Sequence, residues 1–149
     1  MAFSHHAATF VKLLKLLFNI VVLVLYRNGD EGYFMGASYN KNHDAEALAC
    51  GVFIGFMIYN LSSLISTCLD SQSVNKSVTE SLMNFVGAIL WLTTGAVVLQ
   101  FWLRFIPSNH FTETNPSAAG IAMGVLCVIN SAIYLADTAL AYTNYRSLE

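Results

Sequence analysis

Two lysines inside an apolar stretch near the amino terminus are the residues of this sequence whose charge most clearly calls for a chemical explanation. Lys12 and Lys15 recur at helical spacing with Asn19 and Tyr26, while Leu, Ile and Val fill the other faces of the same segment. A charge at the centre of a bilayer costs about 2.5–3.5 kcal/mol on insertion scales. An ammonium group held there therefore requires either an acidic partner or access to the headgroups.

The last apolar stretch contains a matching polar seam. Asn130, Tyr134 and Asp137 are spaced at i, i+4 and i+7, so they share one face of a helix. With both chain ends on the same side of the membrane, Asp137 is about as deep as Lys15. We therefore predict an intramembrane ion pair, Lys15–Asp137, that joins the first and last helices and has a structural role.

Snorkelling is the alternative interpretation, because the long side chains of Lys12 and Lys15 near the membrane entry can carry their ammonium groups to the headgroups. We predict snorkelling for Lys12, and for Lys15 both the ion pair and snorkelling stay open. A proton or cation relay in a small ion-coupled transporter is less favoured. Relays place a carboxylate near mid-membrane, whereas Asp137 lies near the end of its segment and no other acid lies deep in one.

The elements that position these seams are membrane-spanning helices. Of the 149 residues, 56% are hydrophobic and only 11% are charged, whereas soluble domains carry about 25% charged residues. A helix needs about 20 mainly apolar residues to cross the bilayer. Four segments meet this requirement, at about 10–26, 45–69, 82–105 and 117–142. We predict an all-α protein in which residues 1–149 form a single integral membrane four-helix bundle with short loops.

Helix-capping residues support the predicted boundaries of the third and fourth spans. Ser77 and Glu80 form an S-x-x-E capping box that would begin the third helix, and Pro107 would end it. Asn115 followed by Pro116 is typical of a cap and a first-turn proline for the fourth helix. Both helices are therefore expected to begin just before their apolar segments.

The positive-inside rule places both termini in the cytoplasm. The basic residues on the amino-terminal side outnumber those on the opposite side by one: Lys12, Lys15, Lys76 and Arg146 against Arg27, Lys41 and Arg104. Most acidic loop residues lie on the opposite side. Since no small-x-small cleavage site follows the first span, we expect that span to remain as a signal anchor.

Small residues occur in three spans at the spacing that lets helix backbones approach closely in lipid. The sets are Ala47, Gly51 and Gly55 in the second span, Gly87 and Gly95 in the third, and Gly120 and Gly124 in the fourth. We expect packing within the bundle for each set. The alternative is that one set contacts a partner protein or a second copy of the chain.

Aromatic residues cluster at the end of the first span and in the loop that follows it. We assign Tyr26 to an interfacial belt. Tyr33, Phe34 and Tyr39 either extend this belt or contact a neighbouring protein from an external loop. Trp91, in the middle of the third span, is predicted to lie in the bundle core.

The remaining features disfavour several functions. The net charge of −2, without a basic cluster, disfavours nucleic acid as a partner. Cys50, Cys68 and Cys127 lie in apolar stretches without CxxC spacing, so we expect them to be buried, reduced and structural, with no metal or other cofactor. Without a nucleophile elbow or a phosphate-binding glycine loop, an enzyme is not expected.

The successive spans resemble the snakeskin proteins of insects over most of the chain. The resemblance rests on the ordered combination of LYRNG after the first span, DAE before the second, MNFVG in the third, and GVLCVI with YLAD in the fourth. It implies a four-pass component of the smooth septate junction at the lateral plasma membrane, with a role in the epithelial barrier and no catalytic residues. The partners that it implies are a mesh-like junction protein and a tetraspanin, in addition to membrane lipid.

Other four-pass families fit less well. Claudins carry a W-GLW-C-C signature in a long first external loop, and this loop here contains neither Trp nor Cys. Tetraspanins have a large cysteine-bearing second external loop, whereas the segment 106–116 is short and has no cysteine. A MARVEL-type trafficking protein is the nearest alternative, because it has the same architecture and a loose sequence signature.

An epitope tag at either end of the chain, expressed in insect cells, is expected to stain only after permeabilisation, because both ends lie in the cytoplasm. The acceptor sequence Asn75-Lys76-Ser77 is expected to stay unglycosylated for the same reason. Staining of intact cells, or a mobility shift after glycosidase treatment, would place this side of the protein outside the cell.

Overall fold

A computed structural model describes residues 2–28, 43–69, 77–104 and 116–146. These ranges contain four α-helices and no strand: α1 (Ala2–Asn28), α2 (His43–Leu69), α3 (Val78–Arg104) and α4 (Pro116–Arg146). Each helix includes a stretch that is long and apolar enough to cross a bilayer, at His6–Tyr26, Asp44–Leu69, Val78–Leu103 and Ala118–Arg146. The predicted all-α class with four spanning helices is therefore confirmed.

The helices form a closed ring in which each packs on its neighbours in the sequence and α1 also packs on α4. α1 and α2 run antiparallel. Tyr26, late in α1, packs edge-on against Phe53 in the first half of α2, and Lys12, early in α1, donates to Ser63 late in α2. The α3–α4 interface is the most extensive of the four, and the α2–α3 interface is the least extensive.

The start of α3 follows the sequence signal only in part. The Ser77 hydroxyl accepts a hydrogen bond from the Thr79 N–H at 3.2 Å, so Ser77 caps the helix. The Glu80 carboxylate instead enters the bundle and contacts α1 and α2, so its assignment to a capping box is wrong. α4 begins at Pro116. Pro107 and Asn115 lie outside the described residues.

Aromatic rings fill the middle of the bundle. Trp91 is fully buried and stacks on Tyr134, with ring centres 6.3 Å apart and an interplanar angle of 25°. Phe53 lies 5.3 Å from Trp91, and Phe56 meets the Tyr134 ring edge-on at 5.4 Å. Rings from α2, α3 and α4 thus share one layer, and Trp91 lies in the core as predicted.

The outer surface of the bundle is apolar. Large aliphatic side chains such as Leu17, Ile58, Leu92 and Leu135 are half exposed or more. A soluble protein rarely exposes apolar surface on this scale, because its hydration is unfavourable. Two lysines, four asparagines and two acidic side chains of the described helices are buried inside the bundle instead. This inverted distribution is the one that a bilayer selects, so the chain is a multi-pass membrane protein.

The cysteines differ from one another in their surroundings. Within the described helices all three are free thiols: Cys127 is buried, Cys50 is half-buried and Cys68 is exposed. The prediction that all three are buried is wrong for Cys68, because the helical phase of α2 turns it toward the outside near the end of the helix.

Gly87 permits the closest contact of α3 with the aromatic layer. A β-carbon at this position would lie 2.7 Å from a ring atom of Phe56 and 2.8 Å from ring atoms of Tyr134. Real β-carbons essentially never come so close to other atoms. The hydrogen of glycine therefore leaves room for two rings that larger residues would displace.

The other small residues of α3 and α4 are also used inside the bundle. A β-carbon at Gly95 would lie 3.1 Å from the Gly124 carbonyl oxygen, so the two backbones nearly touch. One at Gly120 would collide with the indole of Trp102. Close backbone approach through small residues explains why the α3–α4 interface is the most extensive.

The small residues of α2 are not covered by the other helices of the bundle. Ala47, Gly51 and Gly55 are all exposed, and a β-carbon at Gly51 or Gly55 would meet no atom within 4 Å. Of the three sets of small residues, this is the one that the bundle does not cover.

Gly87→Ala is expected to lower the melting temperature of the detergent-solubilised protein, because the added methyl group must displace Phe56 or Tyr134. Gly51→Ala is the matched control. It is expected to leave the melting temperature unchanged or to raise it, since alanine favours a helix over glycine by about 1 kcal/mol and meets no neighbour. Loss of monodispersity on heating, followed by size-exclusion chromatography, measures both. Equal losses in the two variants would contradict the described packing.

Candidate functional site

Two buried ion pairs lie inside the bundle, toward the end at which the chain begins. Lys12 pairs with Glu80, and Lys15 pairs with Asp137. None of these four side chains is more than 6% exposed. We call them the charge cluster. α1 supplies both cations, while α3 and α4 each supply one carboxylate.

Lys15 is held between α3 and α4. Its Nζ lies 2.5 Å from Asp137 Oδ2 and donates a second hydrogen bond to Asn84 Oδ1 at 2.8 Å. The ammonium group also lies 4.6 Å from the centre of the Tyr134 ring, in a cation–π contact. The structure thus brings together the two residues of the predicted pair and adds two contacts that the sequence did not indicate.

Lys12 does not snorkel. Its side chain is only 2% exposed, pairs with Glu80 and donates to Ser63 Oγ at 3.0 Å. The prediction of snorkelling is wrong because a carboxylate is available inside the bundle, within reach of the same side chain. Pairing there avoids the conformational constraint of extending the lysine to the headgroups.

Glu80 connects three helices. It binds Lys12 of α1, and its Oε2 accepts a hydrogen bond from the Tyr59 hydroxyl of α2 at 2.6 Å. The Ser63 hydroxyl lies 3.1 and 3.2 Å from the two carboxylate oxygens. Ser63 therefore accepts from the Lys12 ammonium group and donates to Glu80, so the start of α3 is fastened to both α1 and α2.

Further polar contacts extend from the charge cluster toward the middle of the bundle. The Tyr134 hydroxyl donates to Asn60 Oδ1 at 2.9 Å. With its amide oriented so that the nitrogen faces the Phe53 carbonyl, Asn19 donates to that oxygen at 3.0 Å and accepts from the Met57 N–H at 2.9 Å. These bonds join α1 and α4 to α2, across helix faces that otherwise carry apolar side chains.

The arrangement is suited to holding helices together by electrostatics. Each cation faces one carboxylate, so the cluster is formally neutral. Hydroxyl and amide groups occupy further hydrogen-bonding positions of the same charged atoms, which offsets the loss of hydration. No group of three or more His, Cys, Asp or Glu side chains that could hold a metal ion occurs among the described residues.

The structure describes some of the other residues singled out from the sequence, and these lie outside the charge cluster. Tyr26 packs edge-on against Phe53, with ring centres 5.8 Å apart, so it contacts the core. Asn130 is fully buried in the same helix face as Tyr134. The loop contact candidates Tyr33, Phe34 and Tyr39 lie outside the described residues.

Sequence reasoning missed three members of the site: Tyr59, Glu80 and Asn84. A signal for two of them was present, because Glu80 and Asn84 are spaced at i and i+4 and Trp91 continues the same face at i+11. The assignment of Glu80 to a cap hid this seam. Tyr59 has no comparable signal, since an aromatic residue in an apolar span is ordinary core.

These features define a four-span, all-α membrane protein whose helices are joined by internal charge pairs. The chain is 39% identical over 146 residues to protein snakeskin of Bombyx mori, which covers 93% of each chain. It is 40% identical over 143 residues to protein snakeskin of Drosophila melanogaster, covering 91% of this chain and 88% of the relative. No family model and no solved structure matches the chain. The chain belongs to the snakeskin family.

Asp137→Ala is expected to lower the yield of monodisperse protein sharply, because it leaves the Lys15 ammonium group buried and unpaired. Loss of one partner of a buried ion pair costs about 3–5 kcal/mol. The double variant Lys15→Met/Asp137→Ala is expected to recover most of the yield, since it removes both charges. Fluorescence-detected size-exclusion chromatography measures the yields.

Asp44→Ala, at an exposed carboxylate at the start of α2, is the control for loss of an acid without loss of a buried partner. Its yield is expected to equal that of the unmodified protein. If Asp137→Ala behaves like Asp44→Ala, the Lys15–Asp137 pair does not stabilise the fold.

Proposed function

We propose that this protein is a structural component of smooth septate junctions, required for junction assembly and for the paracellular barrier of an epithelium. The observation that carries the proposal is the identity of 39–40% with two snakeskin proteins over about nine-tenths of the chain. A match of that extent includes all four spans, so the proposal concerns the whole bundle. Its location would be the lateral plasma membrane at contacts between cells.

The architecture supports a role within the plane of the membrane. The segments between helices, 29–42, 70–76 and 105–115, are short compared with the helices that they connect. So little chain between the spans offers a small surface for contact across the space between two cells, and we assign that contact to larger proteins. A mesh-like junction protein and a tetraspanin are the partners that we propose, with assembly beside a second copy of the chain as a further contact.

The charge cluster favours a structural role over transport. Both lysines are paired with carboxylates, and the surrounding amides and hydroxyls bind the same groups. A carrier for a cation or proton would have to break these pairs in every cycle, at the cost of exposing a buried charge. We expect purified protein in liposomes to produce no proton-dependent or cation-dependent flux.

An epitope-tagged copy expressed in a polarised insect gut epithelium is expected to form a sharp belt on the lateral membrane. Depletion of the protein is expected to let a fluorescent dextran cross the epithelium, and re-expression of the unmodified chain should restore the barrier. Fluorescence microscopy and dextran flux measure the two effects. Vesicular staining with an intact barrier after depletion would contradict the junctional role and favour membrane trafficking.

A further inference from the structure

An open crevice runs along the seam between α2 and α3. Its apolar part has a volume of about 480 Å³, with Gly51 and Gly55 of α2 on one side and Val86 and Leu90 of α3 on the other. No atom lies within 4 Å of a β-carbon placed at either glycine, so side chains of the bundle leave this space unfilled. The loose packing of α2 against α3 therefore leaves an opening beside these glycines that a ligand can enter.

A polar pocket of about 310 Å³ lies in the same seam, next to the start of α3. Hydroxyl groups from both sides of the seam line it: Ser62 and Ser66 of α2, the capping residue Ser77, and Thr79 of α3. Ser62 and Ser66 are exposed, although both lie in a membrane-spanning helix. Serine hydroxyls there offer donors and acceptors to a polar group that enters from the membrane.

The apolar groove and the polar pocket form one amphipathic crevice. Tyr59 lines both parts, and Glu80 of the pocket lies one helical turn from Met83 of the groove. The groove extends along α2 from Ala47 to Tyr59, which corresponds to about 18 Å of helix. The hydrocarbon of one leaflet is about 15 Å thick. The crevice therefore fits an apolar body one leaflet long with a polar group at one end.

The charges of the pocket favour an uncharged headgroup. Among the described residues that line the pocket, Glu80 is the one charged side chain, and its carboxylate is already paired with Lys12 behind it. Among the residues that the structure describes, the lining contains no lysine or arginine to bind a phosphate. A phosphate would instead meet a carboxylate at low dielectric, whereas a hydroxyl group can both donate to and accept from the serines.

We propose that the α2–α3 crevice is a binding site for a sterol. The fused rings lie beside Gly55, the alkyl tail extends along the groove to Gly51, and the sterol hydroxyl hydrogen-bonds in the pocket beside Ser62. A flat rigid body gains dispersion contacts along a face without side chains and loses little conformational entropy on binding. A partner helix on this face would cover the glycines but would leave the serine pocket unused. The site does not depend on the junctional role.

The test uses the full chain reconstituted in nanodiscs with a photoreactive sterol that keeps its free hydroxyl group. Mass spectrometry of the crosslinked peptides locates the label. The expected result is labelling within the segments 47–66 and 77–90, displaced by an excess of unlabelled sterol. The 3-O-methyl ether of the same probe cannot donate a hydrogen bond, and its labelling of these segments should fall about tenfold, as for loss of one buried hydrogen bond worth about 1.4 kcal/mol.

Gly55→Phe places a ring in the groove at a position where a β-carbon meets no neighbour, so the bundle should remain folded while labelling is lost. Ala122→Phe adds the same ring at an exposed position of α4, away from the crevice, and is expected to label normally. Size-exclusion profiles of both variants check that the fold is retained.

Three results would overturn the proposal. In the first, label spreads over the lipid-facing surface and responds equally to both phenylalanine variants. In the second, a photoreactive diacyl phospholipid labels the two segments as well as the sterol does. In the third, Gly55→Phe abolishes crosslinking between two copies of the chain but leaves sterol labelling unchanged, which would assign the face to a second copy.

Discussion

The cost of an unpaired charge in hydrocarbon is the constraint on which the bundle depends. Lys12 and Lys15 enter the membrane on one helix, and each is stable there only beside a carboxylate. Because Glu80 belongs to α3 and Asp137 to α4, satisfying both lysines fixes α1 against two other helices at once. The Ser63 and Tyr59 hydroxyls extend the same connection to α2. Apolar attraction between helices, which is weak in lipid, could not by itself specify this arrangement.

Packing complements the charges where small residues allow it. Between α3 and α4, Gly87, Gly95, Gly120 and Gly124 let backbones and large rings approach closely, and this interface is the most extensive. Between α2 and α3 the corresponding small residues face open space. The bundle is therefore firmly joined on one side and has an accessible crevice on the other. That asymmetry leaves a surface for a membrane component without weakening the core.

The combination suits a protein that assembles within a membrane. The four charged side chains of the charge cluster are paired internally, the exterior of the described helices is largely aliphatic, and the segments between the helices are short in sequence. What neighbouring molecules can recognise is then the shape of the lipid-facing helices and the hydroxyl-lined end of the α2–α3 crevice. In an epithelial junction, a rigid four-span unit of this kind would contribute lateral order, and a sterol bound at the crevice would couple that order to the composition of the bilayer.

The sequence by itself determined the class of the fold and the composition of its spans. Long apolar segments with few charges can only become spanning helices, because a bilayer leaves no other way to satisfy the backbone. Helical periodicity also placed Lys15 and Asp137 on inward faces, and the position of Trp91 in its span indicated the core.

Only the tertiary structure decided which faces meet. A helical period tells which residues share a face but not which helix lies opposite, so Lys12 was assigned to the headgroups and Glu80 to a helix cap. In three dimensions they are partners, because the start of α3 lies beside the first half of α1. For the same reason, small residues that recur at helical spacing in different spans have different surroundings. Gly87 lies under two aromatic rings, and Gly51 faces open space, since each outcome depends on side chains contributed by another helix.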